Sequence, residues 1–399
     1  MSAPPPVSGA APACRGGGLY LHIPFCGAIC PYCHFARTSK HDAALRRRVA
    51  AAIAGEFALR RDRCATLREG RAVLRTLYVG GGTPSLLEPA LLAELLAATA
   101  GRLPAASDLE ATVEANPESF TPAIAAAWRE SGLNRVSLGV QSLDDRVLRR
   151  LGRRADAAAS RTALALAVDR FPRVSADWIV APGVRPARLV AELREAVELG
   201  VEHVSLYILE LHAGTALAEA VAAGRRRAPA EGPTANAWLA GAAALEAAGL
   251  RQYEVANFAR PGGESRHNRA YWNDVPYLGL GPGAHGFWGR RRYANLGDAR
   301  RYADAVEAGQ LPEETVDPLD RAQRRLERVI LPLRTVEGLP LDRVPPGLLP
   351  LKEGEAQGLW RVVGGRLQLT PRGFLRLDSL EEMLARSLLS MPRSPTRPG

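Results

Sequence analysis

Three cysteines, Cys26, Cys30 and Cys33, stand within eight residues of one another in the stretch LYLHIPFCGAICPYCHFAR, spaced C-x3-C-x2-C with no fourth cysteine nearby. Thiols at this density bind metal or carry redox chemistry. A structural zinc site takes four ligands, and His22 or His34 could complete one. Three unrelated core thiols are the plainest alternative, because cysteine is often buried, but the Pro, Gly and aromatic neighbours read as a loop. An iron-sulfur cubane ordinarily takes four cysteines. Held by three, it leaves one iron open to a small molecule, and an open iron is a place for chemistry.

Further polar groups follow in an ordered series. YVGGGTPS, Tyr78 to Ser85, puts three glycines directly after a strand-like run, where a backbone without Cβ atoms can approach a ligand and present its amides. Glu114 in VEANPE is a carboxylate suited to a ribose diol, and Gln141 in VSLGVQS and Asp177 in SADWIVAPG extend the pattern. Arg153 in LGRR can grip a carboxylate with two N–H groups at once, a geometry lysine cannot reproduce.

Positioning these groups requires a scaffold, and the sequence repeats one unit: a short β-rich run, a polar or glycine signal, then an alanine- and leucine-rich helix. Strands are expected over 19–23, 74–79, 109–114, 135–140, 174–180 and 204–209, and helices over 42–61, 89–100, 122–131, 155–170 and 186–199. This alternation predicts an α/β fold of parallel strands with helical crossovers. The unusual polar residues fall at the downstream strand ends, the layout of a barrel-type site. Six units rather than eight predict a partial, open (β/α)6 TIM-like barrel over residues 17–250. The segment 251–310, dense in Gly, Pro and aromatics, reads as a structured linker and loop region with function. Residues 311–385 are expected to form a small C-terminal α+β domain, winged-helix-like, with an amphipathic helix over 317–333 and then strand, Gly-Gly turn, strand and helix over 359–384. Flexible tails are expected over 1–16 and 386–399.

Composition narrows the class. With 47% hydrophobic and 24% charged residues, the 399-residue chain reads as a soluble globular protein. No apolar run reaches the roughly 18 to 20 residues of a membrane span, and the N-terminus lacks the basic start and apolar stretch of a secretory signal, so a cytoplasmic location is expected. The formal charge of +10 comes almost wholly from arginine, Lys40 and Lys352 being the exceptions. The basic runs lack interleaved aromatics; they fit solvated faces or a carboxylated small molecule, and nucleic acid is not an expected partner. Five cysteines, an odd count in a chain without an export signal, argue against a disulfide framework and favour metal or redox use. Cys14 and Cys64 lie outside the motif and are expected to take no part in it.

The cysteine motif, including the aromatic Tyr32 before its last member, resembles that of radical S-adenosylmethionine (SAM) enzymes. Taken with YLHIPFC, GGGTP and the later segments, the chain from Leu19 to Leu384 is similar to the oxygen-independent coproporphyrinogen III oxidase group, HemN and HemW. The resemblance implies a [4Fe–4S] cluster on Cys26, Cys30 and Cys33. It implies SAM contacts from Tyr20, Tyr32, Gly81, Gly82, Thr83, Glu114, Gln141, Arg153 and Asp177. The oxidase branch has a further cysteine two residues after the third ligand, where this chain has Phe35. YEVANFARPG, HNRAYW and YLGLGPGAHG resemble HemW, the heme-chaperone branch, whose H-N-x-x-Y-W element is linked to heme. On that resemblance His267 is the first candidate for an axial heme ligand and His285 the second, imidazole being a standard one; Tyr271 and Trp272 offer aromatic surface. The implied partners are heme or a porphyrin, a heme-acceptor protein, and a reductant such as flavodoxin or ferredoxin. The alternative function is oxidative decarboxylation of porphyrinogen propionates through a 5'-deoxyadenosyl radical. The chain departs from the pattern at His34, usually aspartate, at Ala155, usually histidine, and in WIVAPG, where a glycine-leucine run is usual.

Overall fold

The computed structural model describes residues 17–289 and 291–390. The N-terminal tail, with Cys14, and residues 391–399 of the C-terminal tail lie outside them. The first six strands are β1 (Gly17–Ile23), β2 (Leu74–Gly81), β3 (Ala105–Ala115), β4 (Arg135–Gln141), β5 (Arg173–Val180) and β6 (His203–Ile208). They are followed by β7 (Arg251–Gln252), β8 (Asn257–Ala259), β9 (Tyr277–Leu280), β10 (His285–Trp288), β11 (Arg291–Asn295) and β12 (Glu313–Pro318). The last three are β13 (Leu339–Pro340), β14 (Trp360–Val363) and β15 (Arg366–Leu369). Helices Ala43–Arg63, Pro89–Ala98, Pro122–Glu130, Ala157–Arg170 and Pro186–Glu198 occupy the five expected places. Their starts are set locally: Asp42, Thr121 and Asp156 each accept a backbone N–H of the first turn, and Pro89, Pro122 and Pro186 stand where a missing N–H costs nothing.

The chain divides into two compact units that interleave in sequence. The first comprises the residues up to Gly27, Phe35–Thr112 and Val275–Pro318. Its strands run β12-β11-β10-β9-β1-β2-β3; β1 is parallel to β2 and β9, and β10 to β12 are antiparallel additions. Helix Ala43–Arg63 packs against helices Pro89–Ala98 and Ala299–Glu307. It carries Glu56, fully buried, whose carboxylate accepts from Arg60 Nε (2.8 Å), Asn295 Nδ2 (2.9 Å), the Gly281 amide (3.0 Å) and the Tyr302 hydroxyl (2.5 Å). Arg60 is itself 6% exposed and also reaches Glu313. Removing one partner of such a pair strands the other charge in the interior. Glu56→Ala is therefore expected to destabilise the fold by about 3–5 kcal/mol, seen as a lowered urea midpoint with an unchanged slope; a midpoint matching wild type would refute this.

The second unit comprises Ala28–His34, Val113–Asp274 and the residues from Leu319 on. Strands β4, β5 and β6 are parallel, and the antiparallel pair β8 and β7 follows β6. Trp128 and Trp178, 1% and 0% exposed, are its largest buried side chains. The C-terminal part holds a separate sheet in the order β13-β15-β14, against which helix Arg321–Leu333 packs, with helix Leu377–Ser390 packed on that helix. That last helix runs past residue 385, where the sequence reading placed a tail.

The α/β fold of parallel strands and helical crossovers is the one the alternation predicts. Among the described residues neither run of strands closes into a barrel. The sheet is mixed rather than purely parallel because of the segment read as a linker. There the structure has β7 to β11 and helix Arg266–Trp272. Strands of two to five residues interrupted by Gly and Pro carry too little alternation to be recognised locally. They exist because β1 and β6 offer unpaired edges that they satisfy.

Candidate functional site

In the first unit the cysteine loop is anchored at both feet. Strand β1 delivers Pro24, Phe25 and Cys26, and Thr38 returns alongside: the Cys26 amide donates to Thr38 O (3.0 Å) and the Thr38 amide to Pro24 O (2.7 Å). His41 Nε2 donates to Cys26 O at 3.2 Å, and its ring packs on buried Phe25. His22 Nε2 lies 2.7 Å from Ala36 O, so this nitrogen carries the proton; the bare Nδ1 accepts from the Tyr20 hydroxyl at 2.9 Å. Burial lowers the His22 pKa to about 4, which keeps the ring neutral. Both ring nitrogens are thus committed, and His22 is not available as the fourth ligand of a zinc site.

The glycine triplet meets the same loop. The Gly82 amide donates to Ile23 O at 2.8 Å, and Gly81 has φ +112°. A Cβ on Gly81 would lie 2.5 Å from the His22 ring, and one on Gly82 2.7 Å from Phe25 O. Only glycine permits either approach. Thr83, 3% exposed, points its hydroxyl at Cys26 Sγ (3.9 Å). The structure therefore gathers Tyr20, Gly81, Gly82, Thr83 and Cys26 around one loop foot.

In the second unit, Cys30 and Cys33 form a tight turn closed by Cys33 N to Cys30 O (3.0 Å), and Pro31 O accepts from the Leu217 amide (2.9 Å). Arg153 joins this turn to the strands. Its Nη1 faces Cys30 Sγ at 3.7 Å, and its Nη2 donates to Asn116 Oδ1 (2.6 Å) and Gly139 O (2.7 Å). Its Nε is buried without a partner, a donor left over for a ligand. Gln141 closes β4 at φ +68°, beyond a register shift between Leu138 and Gln141, a strained conformation of the kind held at binding sites. Asp177 on β5 accepts from Ser137 Oγ at 3.4 Å; burial raises its carboxyl above the usual range, against the pull of Ser205, Arg135, Ser137 and Arg153. Glu114 is half-buried as the penultimate residue of β3. Tyr32 packs on the apolar cluster of Val147, Leu151, Ile179, Ala181, Leu209 and Leu217.

One group escaped the sequence reading: Asn116, which orients Arg153, was signalled only by an Asn-Pro after a strand. His22, read as a possible zinc ligand, instead orients Tyr20. Among the described residues, Cys26, Cys30, Cys33 and Cys64 take part in no disulfide. Among the described residues no three His, Cys, Asp or Glu side chains converge on a single ion. Thiolates on a cubane bind different irons, so convergence on one point is not what that group needs. In the first unit a clamped loop foot with a thiol and a glycine cradle, and in the second a two-thiol turn beside a buried, unpartnered arginine N–H, are each the kind of group that a cluster with a small carboxylated ligand needs.

His267 lies on helix Arg266–Trp272 rather than in a glycine-rich loop, 1% exposed, with Nε2 2.8 Å from the Tyr271 hydroxyl. Burial, with Arg135 nearby, lowers its pKa to about 3. Trp272 Nε1 donates to Glu254 Oε2 at 2.9 Å, and Arg334 stacks over the indole at 5.2 Å. His285, by contrast, is exposed at the start of β10. Glu254 is 1% exposed, and burial raises its pKa from 4.5 to about 7. The folded chain thus keeps a proton that the unfolded chain releases at lower pH; the stabilisation is full below pH 4.5 and lost as pH rises through 7. His267 works in the opposite sense, since its contribution is lost as pH falls below 6.5 toward 3. The difference in stability between Glu254→Gln and wild type cancels the histidine. It is expected to shift in favour of the glutamine variant by on the order of 3 kcal/mol between pH 4.5 and pH 8; urea titrations showing a pH-independent difference would disprove it.

Comparison with known proteins identifies the family. The model of the Radical SAM superfamily matches residues 20–196. The heme chaperone HemW of Mycobacterium tuberculosis is 38% identical over 374 residues, 92% of this chain and 94% of that protein. HemW of Bacillus subtilis is 31% identical over 373 residues, 89% of this chain and 96% of its own. In the solved structures, coproporphyrinogen III oxidase (HemN) from Escherichia coli, a radical SAM enzyme, superposes with a TM-score of 0.78 at 21% identity, covering 95% of this chain and 92% of that one. That likeness concerns the fold. Within the described residues no helix is long and apolar enough to cross a membrane. With its clamped C-x3-C-x2-C loop, its glycine cradle and end-to-end likeness to these chaperones, the chain belongs to the HemW family of the radical SAM superfamily.

Proposed function

We propose that the protein is a heme carrier: it binds heme and passes it to an acceptor protein, with a [4Fe–4S] cluster on Cys26, Cys30 and Cys33 and SAM at the remaining iron. The observation that carries this over porphyrinogen oxidation is Phe35, 54% exposed at the position where the oxidase branch has its additional cysteine. A phenyl ring offers neither a ligand nor a redox thiol there. When bound, the cluster supplies one-electron chemistry to SAM. The chain's part is to hold and orient: Arg153, fixed by Asn116, presents its Nε–H to the SAM carboxylate beside Tyr20, whose hydroxyl proton is held by His22, while Gly81, Gly82 and Thr83 cradle its amino group. Glu114 serves the ribose, and Gln141, Asp177 and Tyr32 complete the surroundings. A reductant such as flavodoxin or ferredoxin would charge the cluster, and the cytoplasm is the setting these groups imply.

His267 is the leading axial ligand for heme iron. Its ring is neutral, as ligation demands, but Nε2 is engaged by Tyr271, so binding there opens the helix end. Hemin titration should give a Soret band that His267→Ala weakens by about tenfold in affinity and His285→Ala leaves alone. A band untouched by His267→Ala would transfer the role to His285 or elsewhere. Conversion of coproporphyrinogen to protoporphyrinogen with SAM and a reductant would replace the carrier reading by the oxidase one.

A further inference from the structure

The second unit contains a cavity of about 520 Å³, of whose lining the assignments above use only Tyr32. Its wall is apolar, built by Leu151, Ala181, Leu209 and Leu217, with Leu211 38% exposed at the edge. Pro31 and Tyr32 of the cysteine loop form one side. Around it stand three exposed arginines, Arg150, Arg226 and Arg227. Arg226 Nη1 donates to Arg150 O at 2.9 Å, which holds the two segments together. Gly183, at φ +83°, leaves the space that Arg150 fills, since a Cβ there would lie 2.5 Å from its Nη1. Among the described residues no acidic side chain pairs with any of the three guanidinium groups. Protein surfaces usually neutralise clustered arginines; an unneutralised trio beside an apolar wall is complementary to a flat apolar molecule with carboxylates at one edge.

We propose that this cavity receives the tetrapyrrole, its ring against the leucine wall and its two propionates on Arg150, Arg226 and Arg227. The assignment rests on the heme-carrier reading and adds a place and an anchor to it; no histidine among the described residues lines the cavity, so it is an alternative to iron ligation by His267, and the two are told apart by whether Arg226→Glu/Arg227→Glu or His267→Ala weakens hemin binding. Planar guanidinium groups bind carboxylates with paired, charge-assisted hydrogen bonds, so the propionates supply orientation and the ring supplies burial. The bound molecule would touch Pro31 and Tyr32, the residues between the second and third cluster cysteines.

The test is a pair of Soret titrations on the full chain, with hemin and with hemin dimethyl ester, whose propionates carry no charge. Wild type is expected to bind hemin about tenfold or more tightly than the ester. Arg226→Glu/Arg227→Glu should lose that advantage for hemin and bind the ester as before, while Arg226→Lys/Arg227→Lys should keep most of it. Both positions are exposed, and far-UV circular dichroism checks that the variants fold. Equal hemin affinity in wild type and the glutamate variant would overturn this cavity and leave heme carriage standing. Equal losses for hemin and ester would overturn the carboxylate anchor. A wild-type protein that binds no hemin would sink both readings.

Discussion

Replacing Cys26, Cys30 or Cys33 singly with serine is expected to strip the anaerobically reconstituted protein of nearly all its iron, from about four atoms per chain to below about one. Two remaining thiolates hold too little of a four-iron group against a hydroxyl that is not ionised at neutral pH. Cys64→Ser is the control. That residue ends helix Ala43–Arg63 and starts the short helix Ala65–Arg68, far in sequence from the loop, and should leave iron and sulfide unchanged. Iron and acid-labile sulfide analysis, with the spectrum of the dithionite-reduced protein, decides the matter. Full iron content after loss of any one of the three thiols would remove that ligand. One zinc per chain without sulfide would remove the cluster altogether.

The second large effect is expected from a single methyl group. Gly82→Ala places a Cβ 2.7 Å from Phe25 O and 2.9 Å from both Ile23 O and Phe25 N. All three are backbone atoms, so no side chain can swing aside; the strand that delivers Cys26 has to move. Overpacking of this kind costs about 1–3 kcal/mol, and at this place the displacement falls on the residue next to Cys26, one of the three proposed cluster ligands. SAM affinity should drop by about tenfold or more, read by equilibrium dialysis against labelled SAM, with a melting temperature a few degrees lower. Gly232→Ala, in the helix Glu231–Ala247 with nothing within 4 Å of its added Cβ, should change neither. Unaltered SAM binding in Gly82→Ala would mean that the glycines only turn the chain and hold no ligand.

These expectations show where local sequence was a sufficient guide. The first six strands and the five helices between them were legible because each is a long run with its own periodicity, and several helices have their own start signal, such as Asp42, Thr121 or Asp156. The cysteine loop was legible because a ligand set confined to eight residues needs no tertiary structure to be recognised. Strands β7 to β11 were not: two to five residues each, they form only against an edge that another part of the chain supplies. His267 was misplaced for a related reason. A histidine beside Ser265 and Asn268 resembles loop sequence, yet the Ser265 side chain accepts the Asn268 amide and starts a helix that buries the ring.

The sequence by itself determined the chemistry available: three neighbouring thiols, a glycine triplet, a series of polar residues at strand ends, and Phe35 rather than a thiol two residues after the third cysteine. Residue type and short-range spacing are chemical facts that folding does not change. The tertiary structure alone decided which groups act on one another. His22 turns Tyr20, Asn116 aims Arg153, Gly82 touches the backbone of Phe25, and Arg150 meets Arg226 beside an apolar wall, because strand register and helix packing bring together residues that lie up to 76 positions apart. Close contact between distant positions arises from packing the whole chain, and no local window of sequence contains that information.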